Sequence, residues 1–386
     1  MIKQAIYGGE DSVGDAFFDS KAEAARLKHL ILRKYLPPFI SKVGSTATDG
    51  RVVVVDGYAG PGRYEDGSEG SPLILSGYAA NPPGGGNRKV DVVLVEKDVA
   101  HHKLLHELLA QHPVTGVRTP IHGRVTEHLD DILVSAEAQP MFAYLDPYGL
   151  DVAWTDLADK IFARPGMRYA PATEILLNLS AAGIRRIGGV LDAAPYSGRR
   201  KTLERLDIAV GGDWWRDEWR QADSPGEAAE VIASEYARRL SETSDAYTWA
   251  VPVVRKEGQQ PVYHLVYATR HPGGHSVFGE AVSGALEEWR RAQVQGTLFE
   301  TEFAEMEKTL GAEWSRIIAS NITALLGIRA TITLREHYMA LFESVLGQAR
   351  EKHLRAALKQ LAADGVVAEA PTGKLVTGGS VVIRRA

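Results

Sequence analysis

The sequence predicts an α/β protein with a doubly wound, mostly parallel sheet, a helical insertion and a C-terminal winged-helix-like unit. Two observations indicate the sheet. Short β-branched or apolar runs recur along the chain with helical patterns between them, and several runs end in a polar or small residue, as strands of such sheets do at the edge where ligands bind. The third observation is length, since 386 residues suffice for one large α/β domain and an accessory domain.

The expected elements follow in chain order. An amphipathic helix over residues 21–43 comes first, and the pair Pro37-Pro38 is expected to stop its pattern. A second helix is expected over 99–111 and another over 228–240. The expected strands are 52–55, 90–95, 141–145, 175–179, 247–254 and 262–269. These runs predict one sheet flanked by helices.

Composition changes divide the chain. We expect an N-terminal extension at 1–20 and a sheet domain at 21–292, interrupted by an Arg- and Trp-rich helical insertion at about 183–225. A last unit at 300–386 shows three helical patterns, the third at 351–363. Short strands at 366–367 and 381–383 flank a turn at 371–379. Helices followed by a two-stranded wing indicate a winged-helix-like unit.

Composition also excludes several kinds of site. With no cysteine, disulfides, zinc–thiolate sites, iron–sulfur clusters and cysteine nucleophiles are impossible. The histidines lack metal-ligand spacing, so no metal is expected, and no Gly-x-Ser-x-Gly motif supports a serine hydrolase. Neither a signal peptide nor an apolar run of about 20 residues is present, which predicts a cytoplasmic protein without a membrane segment.

A nucleic-acid partner would need a local basic patch, because the net charge is −5. Residues 348–386 offer one, with seven Lys or Arg against three Asp or Glu. A solvated helix face or a protein-docking surface is the alternative interpretation of that excess.

The strongest motif is the turn Asp-Gly-Tyr-Ala-Gly-Pro-Gly at 56–62, directly after a β-branched run. Glycine has no Cβ, so the backbone can pass close under a ligand. The spacing matches neither the nicotinamide nor the phosphate-loop motif. Glu96, at the end of the next strand, can accept hydrogen bonds from both ribose hydroxyls of an adenosyl group, although a tight turn beside a solvated acid is the alternative. The expected cofactor-binding residues here are Asp56, Gly57, Tyr58, Ala59, Gly60, Gly62 and Glu96.

A second motif, Phe-Ala-Tyr-Leu-Asp-Pro-Tyr-Gly, covers 142–149. A carboxylate and a proline at a strand end place a rigid turn beside the cleft, where Asp146 and backbone carbonyls can accept hydrogen bonds from an exocyclic amine. Tyr148 can stack on a base. A purely structural turn is the alternative. The expected catalytic residues are Asp146, Pro147 and Tyr148.

Four further residues are expected to bind substrate: His29, Gly149, Asn178 and Arg270. Asn178 closes the strand at 175–179, where capping the next helix is the alternative role for its side chain. Arg270 opens the run Arg-His-Pro-Gly, which can bind a phosphate or a carboxylate.

Together these stretches resemble the three-Cys-motif partner family, TcmP. The resemblance is carried by residues 17–36, 56–64, 70–73, 145–149 and 267–273. It implies a Rossmann-like, class I methyltransferase fold and S-adenosylmethionine as cofactor. It also implies a companion protein with three cysteines that resembles a radical S-adenosylmethionine enzyme.

The run Leu-Lys-His at 27–29, ahead of 56–64, also resembles the 23S ribosomal RNA adenine-N6 methyltransferase, whose equivalent lysine lies near the cofactor. That resemblance implies that Lys28 joins the cofactor site and pairs with the methionyl carboxylate. A solvated helix charge is the alternative. Residues 142–149 are similar to the Asp-Pro-Pro-Tyr motif of amino methyltransferases and to the Asp-Pro-Phe/Tyr-Gly motif of the tRNA guanine-N2 dimethyltransferase. After the third strand this sequence has His122-Gly123-Arg124 where methyltransferases often have Gly-Asp, so adenine recognition is expected to use backbone atoms.

The leading functional hypothesis is therefore methyl transfer from S-adenosylmethionine to an amine or similar group of a nucleic acid or nucleoside, with Asp146 orienting the amine. One alternative is a non-catalytic partner of a three-Cys-motif protein. Another is a different use of the same cofactor, such as aminocarboxypropyl transfer.

Overall fold

The computed structural model describes residues 15–147, 149–164, 172–194, 196–255, 258–295, 300–376 and 381–386. Within these ranges one sheet contains seven strands. They are β1 (Arg51–Asp56), β2 (Lys89–Glu96), β3 (Ile121–His122), β4 (Met141–Leu145), β5 (Thr173–Leu179), β6 (Tyr247–Val253) and β7 (Tyr263–Thr269). Their order across the sheet is β3-β2-β1-β4-β5-β7-β6.

The sheet is doubly wound and Rossmann-like. β1 pairs parallel with both β2 and β4, and the parallel pairing continues to β3 on one side and β5 on the other. Only β7 is reversed, pairing antiparallel with β5 and β6. Strand order changes direction between β1 and β4, which is the point where ligands bind in sheets of this kind. The predicted α/β sheet is confirmed.

Helices cover both faces of the sheet. They are α1 (Asp15–Gly44), α2 (Ser71–Ala80), α3 (Val99–Gln111), α4 (Val125–Ser135), α5 (Ala181–Gly188), α6 (Arg199–Val210), α7 (Trp215–Gln221), α8 (Pro225–Ser244) and α9 (Pro272–Val294). A π-helical segment, Asp156–Ile161, follows β4. Three of these helices, α5 to α7, fall in the stretch expected to be a helical insertion.

Alternate valines of β1 face two separate cores. Val53 and Val55 pack with α4, α5 and α8, whereas Val52 and Val54 pack with α1, α2 and α9. All four are at most 2% exposed. A continuous β-branched run is therefore explained by burial on both faces of a central strand.

The expectation that Pro37-Pro38 ends the first helix is wrong, because α1 continues to Gly44. Proline removes a backbone donor inside a helix. Here the next turn is held by packing, since Phe39 and Ile40 are buried in the same core as Val52. Tertiary burial outweighs the local cost of the prolines.

The C-terminal region, residues 300–386, has its own core. It contains α10 (Glu300–Ile328), β8 (Thr331–Thr333), α11 (Tyr338–Phe342), a 3-10 turn (Glu343–Val345), α12 (Glu351–Ala363) and β9 (Val382–Arg384). β9 pairs antiparallel with β8.

The predicted strand at 366–367 is not formed. Val367 makes only an isolated bridge to Arg385, because β9 pairs with β8 instead. The winged-helix-like assignment stays a prediction. Within the described ranges, no helix is both long and apolar enough to cross a membrane.

Candidate active site at the carboxyl edge of the sheet

Four polar side chains predicted from the sequence meet at the carboxyl edge of the sheet. Asp56 ends β1, Glu96 ends β2, Asp146 directly follows β4, and Asn178 is the penultimate residue of β5. Parallel strands end at the same edge, so residues far apart in sequence become neighbours there. The group lies on both sides of the point where strand order reverses.

The turn after β1 is shaped by backbone hydrogen bonds to the neighbouring strands. The Gly57 amide donates to the Tyr144 carbonyl at 3.0 Å, and the Ala59 amide donates to the Val95 carbonyl at 2.9 Å. Gly60 has φ +65°, and a Cβ placed on it would meet nothing within 4 Å in the described part of the chain. The backbone at Gly60 therefore faces open space, as a ligand cradle requires.

Gly62 has a different role from the one expected. It has φ +87°, and a Cβ there would lie 2.7 Å from Leu108 Cδ2 and 3.1 Å from Leu105 Cδ1. Both leucines belong to α3. The expectation that Gly62 clears space beneath a ligand is corrected, because this glycine makes room for the packing of α3.

Glu96 holds the glycine turn in place. Its Oε2 accepts the Gly60 amide at 2.7 Å, and its Oε1 accepts the Asp98 amide at 2.7 Å. Glu96 is only 7% exposed. A carboxylate has about four lone-pair positions, so each oxygen retains a position for a hydroxyl donor from a ligand.

Asp56 is fully buried, and one of its oxygens has no partner. Oδ1 accepts the Tyr58 amide at 3.1 Å, whereas Oδ2 has no hydrogen-bond partner among the described residues. Burial raises the pKa of Asp56 to about 7, and the hydrogen bonds from the Ser71 side chain and the Tyr58 amide oppose this rise. A buried acceptor without a donor is costly, which makes this oxygen a place for a ligand donor.

Asp146 is held by three side chains. Lys28 of α1 forms an ion pair with Oδ2, Asn178 Nδ2 donates to Oδ1 at 2.6 Å, and the Tyr144 hydroxyl lies 3.4 Å from Oδ2. Burial opposes ionisation, but the Lys28 ammonium and the Lys28 and Asn178 hydrogen bonds keep the pKa of Asp146 below its usual value. Asp146 is thus a carboxylate of fixed orientation.

Asn178 does not cap the next helix, which corrects that alternative. Ser180 caps α5 by accepting the Gly183 amide at 2.9 Å. Because Asn178 donates Nδ2 to Asp146, its Oδ1 must point away from the carboxylate, and this oxygen has no partner within the described residues. The amide is thus oriented to offer an acceptor.

Lys28 and His29 form the α1 wall of the site. Lys28 is 7% exposed, so the interpretation of a solvated helix charge is wrong. Its Nζ lies 5.5 Å from the Tyr263 ring centroid.

His29 is uncharged at neutral pH. Burial and the Lys28 charge lower the pKa of His29 to about 4, which keeps the imidazole neutral. The His29 and Tyr64 rings lie 5.7 Å apart, and Tyr64 is 45% exposed.

Arg270 is not part of this site, and its expected role in substrate binding is wrong. It follows β7, which runs opposite to the other strands, and therefore lies at the amino edge of the sheet. There its guanidinium donates to the carbonyls of Phe162 and Ser244.

Three expected residues follow Asp146 in the chain. Pro147 is buried and Gly149 has φ +99°. Tyr148 lies outside the described residues.

Sequence reasoning missed Asp151, beside the glycine turn. Lys97 and Arg124 converge on its carboxylate, with N–O distances of 2.9 and 3.7 Å. These residues border a small cleft that also contains Gly57, Tyr58, Gly123 and Val125. The sequence signal that could have indicated Asp151 as a site residue is its position in a turn-rich segment, five residues after Asp146.

Comparisons with known proteins add the following. No family model matches the sequence, and no curated protein matches it. Three solved structures are similar in fold at 13% identity. Cofactor-bound Rv0187 from MTB gives a TM-score of 0.30 over 68% of this chain and 98% of its own. M. jannaschii TYW2 in complex with AdoMet gives 0.26 over 69% and 78%. The O-methyltransferase TomG from Streptomyces achromogenes, in complex with SAM, gives 0.30 over 69% and 92%.

The resemblance to TcmP stays a prediction. Among the described residues, no group of three or more His, Cys, Asp or Glu side chains is placed to hold a metal ion.

Proposed function

We propose that this chain is an S-adenosylmethionine-dependent methyltransferase that acts on an amine or similar group of a nucleic acid or nucleoside-type substrate. The observation that carries the proposal is the convergence of Asp56, Glu96 and Asp146 around an open glycine turn at the point where strand order reverses. The TcmP-like sequence stretches support the same cofactor.

The residues present fit this cofactor. The open backbone at Gly60 provides a cradle, and Glu96 retains lone pairs for two ribose hydroxyls. The unpartnered Asp56 Oδ2 can accept from the methionyl ammonium. When bound, the cofactor supplies an electrophilic methyl group on a sulfonium.

Asp146 acts on the acceptor. Its carboxylate is ionised, and its orientation is fixed by Lys28 and Asn178. A carboxylate with this geometry accepts a hydrogen bond from an amine N–H and points the nitrogen lone pair toward the cleft. Asn178 Oδ1 offers a second acceptor to the same amine. The rate enhancement would come mainly from the position and orientation of the acceptor amine.

The test is labelled-methyl transfer to total nucleic acid and to mixed nucleosides. Asp146→Ala is expected to lower turnover at least about 100-fold, within the range for a lost proton acceptor or orienting group, and to leave cofactor affinity within a few fold. Asp213→Ala, at an exposed carboxylate, is the matched control and should retain full activity.

Two results would change the proposal. An equal loss of cofactor binding in Asp146→Ala would make Asp146 a cofactor ligand. Cofactor binding by the wild type without methyl transfer to any substrate would favour aminocarboxypropyl transfer or a non-catalytic role beside a three-Cys-motif protein.

A further inference from the structure

Residues 62–70 form a short hairpin between the glycine turn and α2, which we call the rim hairpin. Its two ends are joined, because the Gly70 amide donates to the Gly62 carbonyl at 2.9 Å. Further along, the Tyr64 amide donates to the Ser68 carbonyl at 3.0 Å. These hydrogen bonds across the hairpin fix the backbone that carries Tyr64.

The tip of the rim hairpin is a tight turn. The Gly67 amide donates to the Tyr64 carbonyl at 2.9 Å. Oδ1 of Asp66 accepts both the amide and the hydroxyl of Ser68, at 2.8 and 2.6 Å, which is the way an Asp side chain stabilises a turn. Tyr64 therefore stands at the start of a turn that is held by backbone and side-chain hydrogen bonds.

The rim hairpin rests on one face of α1. The Tyr64 and His29 rings lie 5.7 Å apart at an interplanar angle of 44°, within the range of interacting aromatic pairs. Arg33 Nη2 pairs with Glu69 Oε2 at 2.7 Å. His29 and Arg33 are four residues apart and share a helix face, so two contacts set the position of the hairpin against the helix.

Helix α1 connects the rim hairpin to Asp146, the carboxylate that is proposed to hold the acceptor amine. His29 directly follows Lys28 in the helix, and Lys28 forms an ion pair with Asp146. Burial and the Lys28 charge lower the pKa of His29, and the Asp146 carboxylate opposes that fall. Tyr64 thus reaches the neighbourhood of Asp146 through two consecutive residues of one helix.

Tyr64 keeps much of its side chain open to solvent. It is 45% exposed, although its backbone is fixed and its ring contacts His29. Exposed aromatic residues are common on protein surfaces, so exposure alone indicates nothing. The combination of a fixed ring and a nearby amine-holding carboxylate is specific, because a tyrosine on a fixed backbone offers a stacking surface at little cost in side-chain entropy.

We propose that the Tyr64 ring, backed by His29, is the platform on which the acceptor base stacks while Asp146 holds its amine. The inference rests on the proposed function and deepens it, because it makes the accepted amine a substituent of an aromatic base and excludes aliphatic amines. Every base has a π face, so stacking on a tyrosine contributes affinity for all bases without reading their sequence.

The test measures binding of two single strands of about 10 nucleotides, within the usual site size of such proteins. One is an RNA with all four bases, and the other is an abasic strand with the same phosphates. Fluorescence anisotropy without cofactor gives both affinities. Tyr64→Ala is expected to bind the RNA about 10-fold more weakly than the wild type, the order of effect of one lost stacking contact, and to bind the abasic strand equally.

Two further substitutions at the same position separate stacking from apolar packing. Tyr64→Trp should bind the RNA at least as tightly as the wild type, because it keeps an aromatic face. Tyr64→Leu is apolar but has no such face, so it should weaken RNA binding as Tyr64→Ala does. Tyr196→Ala is the control, since Tyr196 is similarly exposed, at 48%, but lies in the helical insertion. It should bind both strands as the wild type does.

Unchanged RNA binding in Tyr64→Ala, equal binding by Tyr64→Leu and Tyr64→Trp, or a wild type without preference for the RNA over the abasic strand would each overturn the platform. Calorimetry with S-adenosylmethionine completes the test. Its affinity should stay within a few fold in Tyr64→Ala, whereas loss of both cofactor and RNA binding would give Tyr64 a role in shaping the glycine turn instead. RNA binding through Tyr64 without any methyl transfer would reject the proposed function and leave the platform in place.

Discussion

Asp56 and Glu174 are both buried carboxyl groups of the central sheet, but they differ in their hydrogen bonds. Burial raises the pKa of each to about 7. Glu174, near the amino end of β5, accepts from the hydroxyls of Tyr35, Tyr267 and Thr269. Asp56, at the carboxyl end of β1, has an oxygen without a partner among the described residues.

The difference separates a carboxyl whose hydrogen bonds the protein satisfies from one that we propose to bind the cofactor. A pKa raised by burial is common to both, so it does not identify the site. An acceptor that the protein has buried but not satisfied costs stability, and such a cost is expected where a ligand supplies the donor. Asn178 Oδ1 is another buried acceptor without a partner among the described residues at the same edge, and in this respect it resembles Asp56.

The largest expected effect comes from removing the structural carboxyl. Glu174→Ala leaves the hydroxyls of Tyr35, Tyr267 and Thr269 without their shared acceptor, so the free energy of unfolding should fall by about 3 kcal/mol, since each unpaired buried group costs about 1–3 kcal/mol. Cofactor affinity should not change. Urea unfolding and calorimetry measure the two quantities.

Asp56→Asn is the counterpart in the same experiment. It should change the free energy of unfolding by less than about 1 kcal/mol, because Oδ2 contributes no hydrogen bond to lose, and it should weaken cofactor binding. If Asp56→Asn destabilised the fold as much as Glu174→Ala and left cofactor binding intact, the distinction between the two carboxyls would fail.

A smaller effect is expected in the pH dependence of stability. Both carboxyl groups have pKa values raised above those of the unfolded chain, about 4, so the folded state binds their protons more tightly. Their contribution is complete below that pH and is lost as pH rises through about 7. The free energy of unfolding should therefore fall between pH 5 and pH 8.

Asp56→Asn and Glu174→Gln should each reduce the steepness of that fall, because neither amide titrates in this range. Denaturant titrations at four pH values would show it. A wild-type stability that rises over the range, or variants with unchanged slopes, would contradict the assignment of raised pKa values to these groups.

Local sequence signals were enough for most strands and for the residues at their carboxyl ends. The β-branched run of β1 and the polar residues Asp56, Glu96 and Asp146 could be placed because parallel strands carry their ligand-binding residues at one edge. The side chains that contact these polar residues were harder to predict. The contact of Lys28 with Asp146 joins residues 118 positions apart, and only the resemblance to a known family had placed Lys28 at the site.

Three features were not predicted correctly, and two of them depend on tertiary structure. α2 was not predicted, because its apolar residues occupy most positions and show no helical period. Arg270 was misplaced because pattern alone does not tell the direction of β7. The Glu174 network joins residues from α1, β5 and β7, so no local signal exists for it.

Cofactor binding by Gly60→Val and Gly86→Val tests the central claim most directly. Both glycines have φ +65°, and at both a new Cβ meets nothing within 4 Å in the described structure, so backbone strain is matched. Gly60 lies in the turn held by Glu96, whereas Gly86 precedes β2 at the opposite edge of the sheet. Calorimetry with S-adenosylmethionine should show binding weakened at least about 10-fold, or about 1.4 kcal/mol, by Gly60→Val alone. Equal affinity in the two variants would contradict a cofactor site at this turn.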